Sequence, residues 1–284
     1  MARFLEAQNA IRQQVQAGRN RWRPPPAQAA SLALHAAAMP ALLAWPGEWA
    51  AVLGALAANH LALGLLALAP RTQWTGRTLI RLSAAAVARG EVALTFDDGP
   101  DPAVTPRVLD LLDMAGARAS FFCIGKRAAR FPDLVREIVR RGHTVENHSH
   151  RHPALFAAWS APAMRRELVQ AQTVLTQAAG TAPRFVRAPL GLRGPWFDLA
   201  LAGTGLRPIA WTARGRDTVC ADPRIVLQRL TRRLAAGDVL LLHDATAAEG
   251  PDGEKVVLAV LPMLLAALAA RGLRPVTLPA AFGG

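Results

Sequence analysis

Two adjacent carboxylates, Asp97 and Asp98, follow the apolar run Val92-Ala93-Leu94 and precede Gly99-Pro100. Further on, His148-Ser149-His150-Arg151-His152 sets two imidazoles four residues apart, a spacing that one helical turn would bring to the same side. Two histidines and one carboxylate can hold a divalent cation and leave coordination positions open, as a catalytic metal site requires. Such a cation acidifies water and polarises a carbonyl oxygen. The carboxylate not engaged by the metal could then act as general base. His243 ends the run Val239-Leu240-Leu241-Leu242, where it could donate a proton to a departing amine. Arg187 could orient the base carboxylate, and Asp217 could in turn hold Arg187. Each residue also has a plainer reading. Asp-Asp-Gly-Pro suits a turn, a histidine pair is often solvated, His243 could cap a strand, and Arg187 with Asp217 could be a rim ion pair.

Bringing these residues together needs a scaffold, and the pattern from Glu91 onward predicts one. Strand-type runs fall at Val92–Phe96, Ala119–Ile124, Thr144–Asn147, Phe185–Arg187, Pro208–Thr212, Val239–Leu242 and Arg274–Thr277. Helical patterns fall at Thr105–Ala115, Pro132–Arg141, Ala163–Ala179, Trp196–Ala202, Pro223–Leu234 and Lys255–Arg271. Gly116, Gly142, Gly180, Gly237 and Gly272 sit just past helical runs, as C-terminal caps. Strand-helix alternation implies a parallel α/β sheet with right-handed crossovers, either a slightly irregular barrel or a doubly wound sheet. In both, sites form at the C-terminal ends of the strands. Asp97-Asp98, His148 and His152, Arg187, Asp217 and His243 all follow such ends.

Thr-Phe-Asp-Asp-Gly-Pro (95–100), His-Ser-x-x-His (148–152), Arg-Ala-Pro-Leu-Gly (187–191), the Trp211 to Asp217 segment and Leu-Leu-Leu-His (240–243) occur in this order. Together they resemble the polysaccharide deacetylases, the NodB-homology domain of carbohydrate esterase family four, over roughly residues 91–279. The resemblance implies a distorted (β/α) barrel of about seven strands that binds a divalent metal, zinc first among the candidates. It implies hydrolysis of an N-acyl group, usually acetyl, from an amino sugar. Matched motif by motif, Asp97 is expected as general base, and Asp98, His148 and His152 as metal ligands. His243 is expected as general acid, with Arg187 and Asp217 as supporting charges, and the backbone N–H of Leu190 as oxyanion donor. The chain departs from the pattern twice: Leu190 stands where an aromatic is usual, and Asp217 is followed by Thr218 rather than Trp. Trp211 remains as a sugar-facing candidate. Arg193, Arg214 and Arg216 add positive charge near the expected site, which suits a small or phosphorylated acceptor.

The first ninety residues read differently. A basic segment (1–26) with Arg3, Arg12, Arg19, Arg21 and Arg23 ends in Pro24-Pro25-Pro26, and Phe4, Leu5, Ile11 and Val15 give it an amphipathic helical pattern. Two apolar stretches within 27–70 are each close to the ~20 residues that span a bilayer. Pro46-Gly47-Glu48 joins them, with Trp45 and Trp49 at interfacial positions. They predict a transmembrane helical hairpin and contact with membrane lipid. His35, Pro40, Asn59 and His60 inside the runs keep an Ala-rich soluble hairpin as the alternative. A basic linker (71–90) leads to the catalytic domain (91–284). Arginines flank both ends of the hairpin, so the positive-inside rule places both ends, and the catalytic domain, on the cytoplasmic side of the inner membrane.

The net charge of +13 favours anionic partners. Nucleic acid is the weaker choice, because the arginines are scattered, no recognition motif is present and the chain has no tyrosine. Cys123 and Cys220 make no disulfide framework, and nothing points to a protein partner. The expected function is therefore metal-dependent deacylation of an N-acylated sugar, with a lipid-linked or phosphorylated one among the candidates. The alternatives are an inactive membrane-bound sugar-binding protein and a non-haem iron oxygenase. The oxygenase gives no work to Asp97 or His243. An ATPase reading fails because no phosphate-binding Gly-x-x-x-x-Gly-Lys-Ser/Thr loop is present.

Overall fold

In the computed structural model, residues 22–251 and 253–283 are described. The amphipathic segment expected before Pro24 lies, up to residue 21, outside them. The described chain opens with two helices, α1 (Pro26–Ala44) and α2 (Trp49–Ala67), joined by a 3-10 turn at Pro46–Glu48. Each is about 28 Å long by helix rise. Both are long and apolar enough to cross a membrane, and they expose Leu32, Met39, Leu43, Leu53, Leu61 and Leu65. Their polar residues face one another: Asn59 donates to Ser31 Oγ at 2.9 Å, and the His35 and His60 rings meet edge-on at 5.2 Å.

The rest is an α/β fold around a curled parallel sheet. After the short helix α3 (Ala84–Ala88) come β1 (Glu91–Asp97), α4 (Thr105–Met114), β2 (Ala119–Cys123), α5 (Gly125–Arg130), α6 (Pro132–Arg140) and β3 (Thr144–Asn147). Then follow α7 (Ala161–Ala179), β4 (Phe185–Val186), α8 (Phe197–Leu201), β5 (Arg207–Pro208) and β6 (Ala213–Arg214). The chain ends with α9 (Pro223–Thr231), β7 (Val239–His243), α10 (Val256–Ala269), β8 (Arg274–Pro275) and α11 (Leu278–Ala281). The strand order is β5-β4-β3-β2-β1-β7-β6, with β8 pairing the start of β1. The expected helices and all but one of the expected strands are present, and the barrel-like reading holds over the doubly wound one; the strand expected at Pro208–Thr212 is instead two short strands, β5 and β6, at opposite ends of the sheet order. α3, α5 and α11 were not expected, each being too short to show a helical period.

Strand β1 is buried along its whole length, as expected of a central parallel strand covered on both faces. Its alternate side chains divide two cores. Val92, Leu94 and Phe96 pack outward against α4, α9 and α10, while Ala93 joins Phe122, Ile209, Trp211, Val239 and Leu241 inside the curl. The same alternation turns Thr95 and Asp97 inward at the C-terminal end. Asp97 pairs in register with His243 of β7, so the two side chains start as neighbours on one face.

The sheet's open seam lies between β5 and β6, and the stretch before α3 crosses it. Leu79 donates to the Pro208 carbonyl and accepts from Ala210 N–H, while Leu82 donates to the Gly237 carbonyl. Arg81 then pairs with Asp238 at 2.8 Å. The residues read as a linker, 71–90, are thus partly built into the barrel.

Candidate active site

Asp97 and Asp98 leave β1 in opposite senses because the backbone turns over between them: Asp98 has φ 75°. Asp97 points to the interior and receives Arg187 Nη1 at 2.6 Å. Arg187 comes from the end of β4, across the curl, and is fully buried. Its guanidinium also donates to Thr95 Oγ1 at 3.0 Å and the Ala210 carbonyl at 3.1 Å, and stacks 4.1 Å over the Phe122 ring. Every contact fixes the direction of the Asp97 carboxylate.

Asp98 faces the histidine pair. Its Oδ1 lies 3.2 Å from His148 Nε2 and 3.4 Å from His152 Nε2. One ligand atom from each of these three residues falls within 4.8 Å of the others. His148 Nδ1 contacts the Arg187 carbonyl at 2.9 Å, and because a carbonyl only accepts, Nδ1 carries the proton and Nε2 presents its lone pair. Asp98 Oδ1 is buried without a well-formed hydrogen bond. Its other oxygen, Oδ2, accepts from Thr246 Oγ1.

The electrostatics ask for one positive charge here. Burial alone would raise the Asp98 pKa, yet His148, His243 and Thr246 pull it below the usual carboxylate range. Burial likewise works against a charged His148, but Asp97 and Asp98 outweigh it and push the ring's pKa up. Burial and the neighbouring His148 lower that of His152. A divalent cation on the three converging atoms meets this demand with the donor set such ions accept; the residues fit the metal that the sequence implies.

The third group is His243. Its Nδ1 lies 2.9 Å from Asp217 Oδ1, and its backbone N–H donates to Asp217 Oδ2 at 2.7 Å. Burial lowers its pKa, but the Asp217 partner, with Asp97 and Asp98, raises it to about 9. Asp217 therefore holds His243 and not Arg187, as the sequence reading had it. The sheet order explains this: β6, which leads to Asp217, neighbours β7, whereas β4 lies on the far side of β1.

Asp97, Asp98, His148, His152, His243 and Thr246 line one cavity of about 590 Å³, together with Leu190, Trp211, Arg214, Arg216 and Val219. Arg214 lies 5.6 Å over the Trp211 ring. Gly191 lets the loop approach that ring, since a Cβ would strike the indole. Among the described residues, five non-glycines have left-handed φ: Asp98, Ser149, His152, Leu190 and Arg216. Four line the cavity, and Ser149 sits between the two histidines. Such conformations cost free energy and gather at functional sites.

Arg193 is a further expectation that fails. Its guanidinium is buried away from the cavity and donates to the carbonyls of Thr72 and Gly76. It ties the segment after α2 to the barrel. Sequence reasoning also missed Thr246, whose type carries no signal. It missed the structural work of Thr95, which the period-two pattern could have found two residues before Asp97.

Fold and site together define a hydrolase of carbon–nitrogen bonds other than peptide bonds, with carboxylates and histidines on the rim of a curled parallel sheet. More narrowly, the chain belongs to the polysaccharide deacetylase family, whose profile matches residues 84–209. A chitooligosaccharide deacetylase from Azorhizobium caulinodans is 31% identical over 198 residues, spanning 67% of this chain and 94% of that protein. A solved peptidoglycan N-acetylglucosamine deacetylase superposes with a TM-score of 0.64 at 29% identity, covering 72% of this chain and 92% of that one. A family 4 carbohydrate esterase from Streptomyces lividans, solved with acetate, gives 0.59 at 33% identity, covering 66% and 91%.

Proposed function

We propose that the protein hydrolyses an N-acyl group, acetyl first among candidates, from an amino sugar carried on a membrane lipid. The observation that carries the chemistry is the convergence of three sets on one cavity: Asp97 with Arg187, Asp98 with His148 and His152, and His243 with Asp217. A divalent cation held by Asp98, His148 and His152, zinc by donor type, would supply Lewis acidity to the amide carbonyl and acidify the attacking water. Asp97, aimed by Arg187, takes the proton from water as its oxygen bonds to the acyl carbon. The Leu190 backbone N–H serves as oxyanion donor. His243 then gives a proton from Nε2 to the sugar nitrogen as the carbon–nitrogen bond breaks. Asp217 on Nδ1 sets the ring's orientation for that transfer. The products are a free amine and a carboxylic acid.

Support for a lipid-linked substrate comes from α1 and α2, and from Arg214 and Arg216 at the cavity, whose forked donors suit phosphate. Trp211 lines the cavity beneath Arg214. On this reading residues 27–70 anchor the chain in the inner membrane, 1–26 and 71–90 flank the anchor, and 91–284 form the catalytic part on the cytoplasmic side. A C-terminal reporter active only outside that membrane would refute the sidedness.

The deciding experiment is an amine-release assay on the purified full chain, using soluble chito-oligosaccharide and a lipid-linked N-acetyl amino sugar. Release that stops with chelator and returns with zinc, and favours the lipid-linked substrate, is expected. Equal or better turnover of the soluble oligosaccharide would remove the lipid from the proposal.

A further inference from the structure

A second cavity, of about 920 Å³, lies where the hairpin meets the barrel. Leu32, His35, Leu63 and Gly64 wall it on the hairpin side, and Ala157 and Trp196 on the barrel side. It is at the upper end of the volumes that hold small molecules, and none of the hydrolytic residues reaches it.

Its placement points to what it binds. Ser31 and His35, on its wall, lie roughly 8–14 Å along α1 from the helix start. In a bilayer spanned by α1 that depth lies among the hydrocarbon chains. A short stretch of chain links the cavity to the rim of the catalytic one. Ala67 lines it, and three residues later Pro70 sits where a Cβ on Gly191, at the catalytic rim, would touch it at 3.5 Å. Three residues span at most ~11 Å. Arg71 follows and donates to the carbonyl of Thr212, two residues before Arg214 on the wall of the catalytic cavity. Finally, Gln28 lines the barrel end of the cavity at 5% exposure. Its Nε2 donates to the Thr75 and Pro195 carbonyls, while Oε1 has no partner among the described residues. The apolar chamber therefore has one unsatisfied polar edge, the edge nearer the barrel.

We infer that this cavity holds the first stretch of the hydrocarbon chain of the lipid that carries the amino sugar, with the lipid's phosphate at Arg71, Arg214 and Arg216 and its sugar over Asp98, His148 and His152. The inference rests on the lipid-linked reading above and adds the site that would select it.

Two measurements on the full chain in nanodiscs test it. Gly64 lines the cavity and a Cβ there meets nothing within 4 Å, so Gly64→Phe fills space without disturbing the helix. With one N-acetyl amino sugar phosphate offered on a long chain or a methyl group, Gly64→Phe should raise KM for the long-chain form about tenfold and leave the methyl form unchanged. No change for the long-chain form, or an equal loss for both, overturns the inference. Independently, a long-chain alkyl phosphate bearing a diazirine near its head should label Ala157–Ala158 and Pro195–Trp196, and lose that label in Gly64→Phe. Label confined to the outer faces of α1 and α2 overturns it. Barrel labelling with no turnover of either sugar would overturn the sugar chemistry alone and leave the chain-binding site standing.

Discussion

Asp217 grips His243 at two points, accepting its backbone N–H at 2.7 Å and facing its Nδ1 at 2.9 Å. The double contact sets both the position of the strand end and the rotation of the ring, so with His243 as the proposed acid one carboxylate would govern where the proton is delivered and at what pH. His243 is held up at about 9 chiefly against burial by this partner. A general acid works while protonated, so activity should fall as pH rises through about 9. In Asp217→Asn the charge is gone, the ring's pKa drops toward its ordinary value near ~6.5, and the alkaline limb moves to lower pH. A pH–rate profile of the two metal-loaded proteins checks this; coincident limbs would deny His243 the acid role.

The two aspartates should separate cleanly. Asp97→Asn keeps the shape and the Arg187 contact but cannot take a proton, so turnover should fall by 10²–10⁴-fold with metal content unchanged by elemental analysis. Asp98→Asn should lose the metal. Metal loss in both would mean that the assignment of base and ligand is wrong.

Thr246 is the test of a residue that no motif pointed to. Its hydroxyl holds Asp98 Oδ2, leaving Oδ1 to the histidines. Thr246→Val preserves the volume and removes the donor, and should weaken zinc affinity by about 10–100-fold, the usual effect of losing such a partner. Competition with a chromogenic chelator measures it.

Arg187 is expected to matter to the fold as much as to the reaction. It is buried, paired with Asp97 and stacked on Phe122. Arg187→Met fills much of the space but leaves the Asp97 carboxylate without its counter-charge, which should cost about 3–5 kcal/mol in denaturant unfolding. A change near zero would mean that water reaches Asp97.

Glu146 gives a prediction away from the reaction. Burial pushes its pKa up to about 7, against the N–H donors of Phe185 and Arg184. The folded protein keeps this proton to higher pH than the unfolded chain, which releases it near 4.5. Stability should therefore fall as pH rises from about 4.5 to about 7. Asp244, also buried and raised to about 7, acts in the same direction. Glu146→Gln keeps an acceptor for the two N–H groups and should flatten that slope in urea midpoints taken across the window.

The sequence made the rim of the site legible because strand ends are marked twice, by apolar runs stopping and by catalytic residue types starting. Asp97, Asp98, His148, His152, Arg187 and His243 could all be placed that way. Partners across the sheet could not, because chain order does not reveal that β6 lies beside β7 while β4 lies beyond β1; hence Asp217 was matched to the wrong residue. Arg193 misled because an arginine near a motif reads as surface charge, while its real partners are carbonyls of a distant loop. The stretch around Leu79 looked like a linker because it is too short to show a period. Only the gap between β5 and β6 gives it a role.

That stretch bears on how the protein meets its substrate. A catalytic domain on a loose leash samples the solution above its membrane in every orientation. Here the residues that leave α2 run into the sheet and hydrogen-bond to Pro208, Ala210 and Gly237, so the mouth of the barrel keeps a fixed heading relative to the hairpin. On the membrane and lipid-linked reading proposed above, the search for substrate would be two-dimensional, a sideways encounter within one leaflet, and a fragment cut at residue 91 would lose both its compass and the piece that closes its barrel.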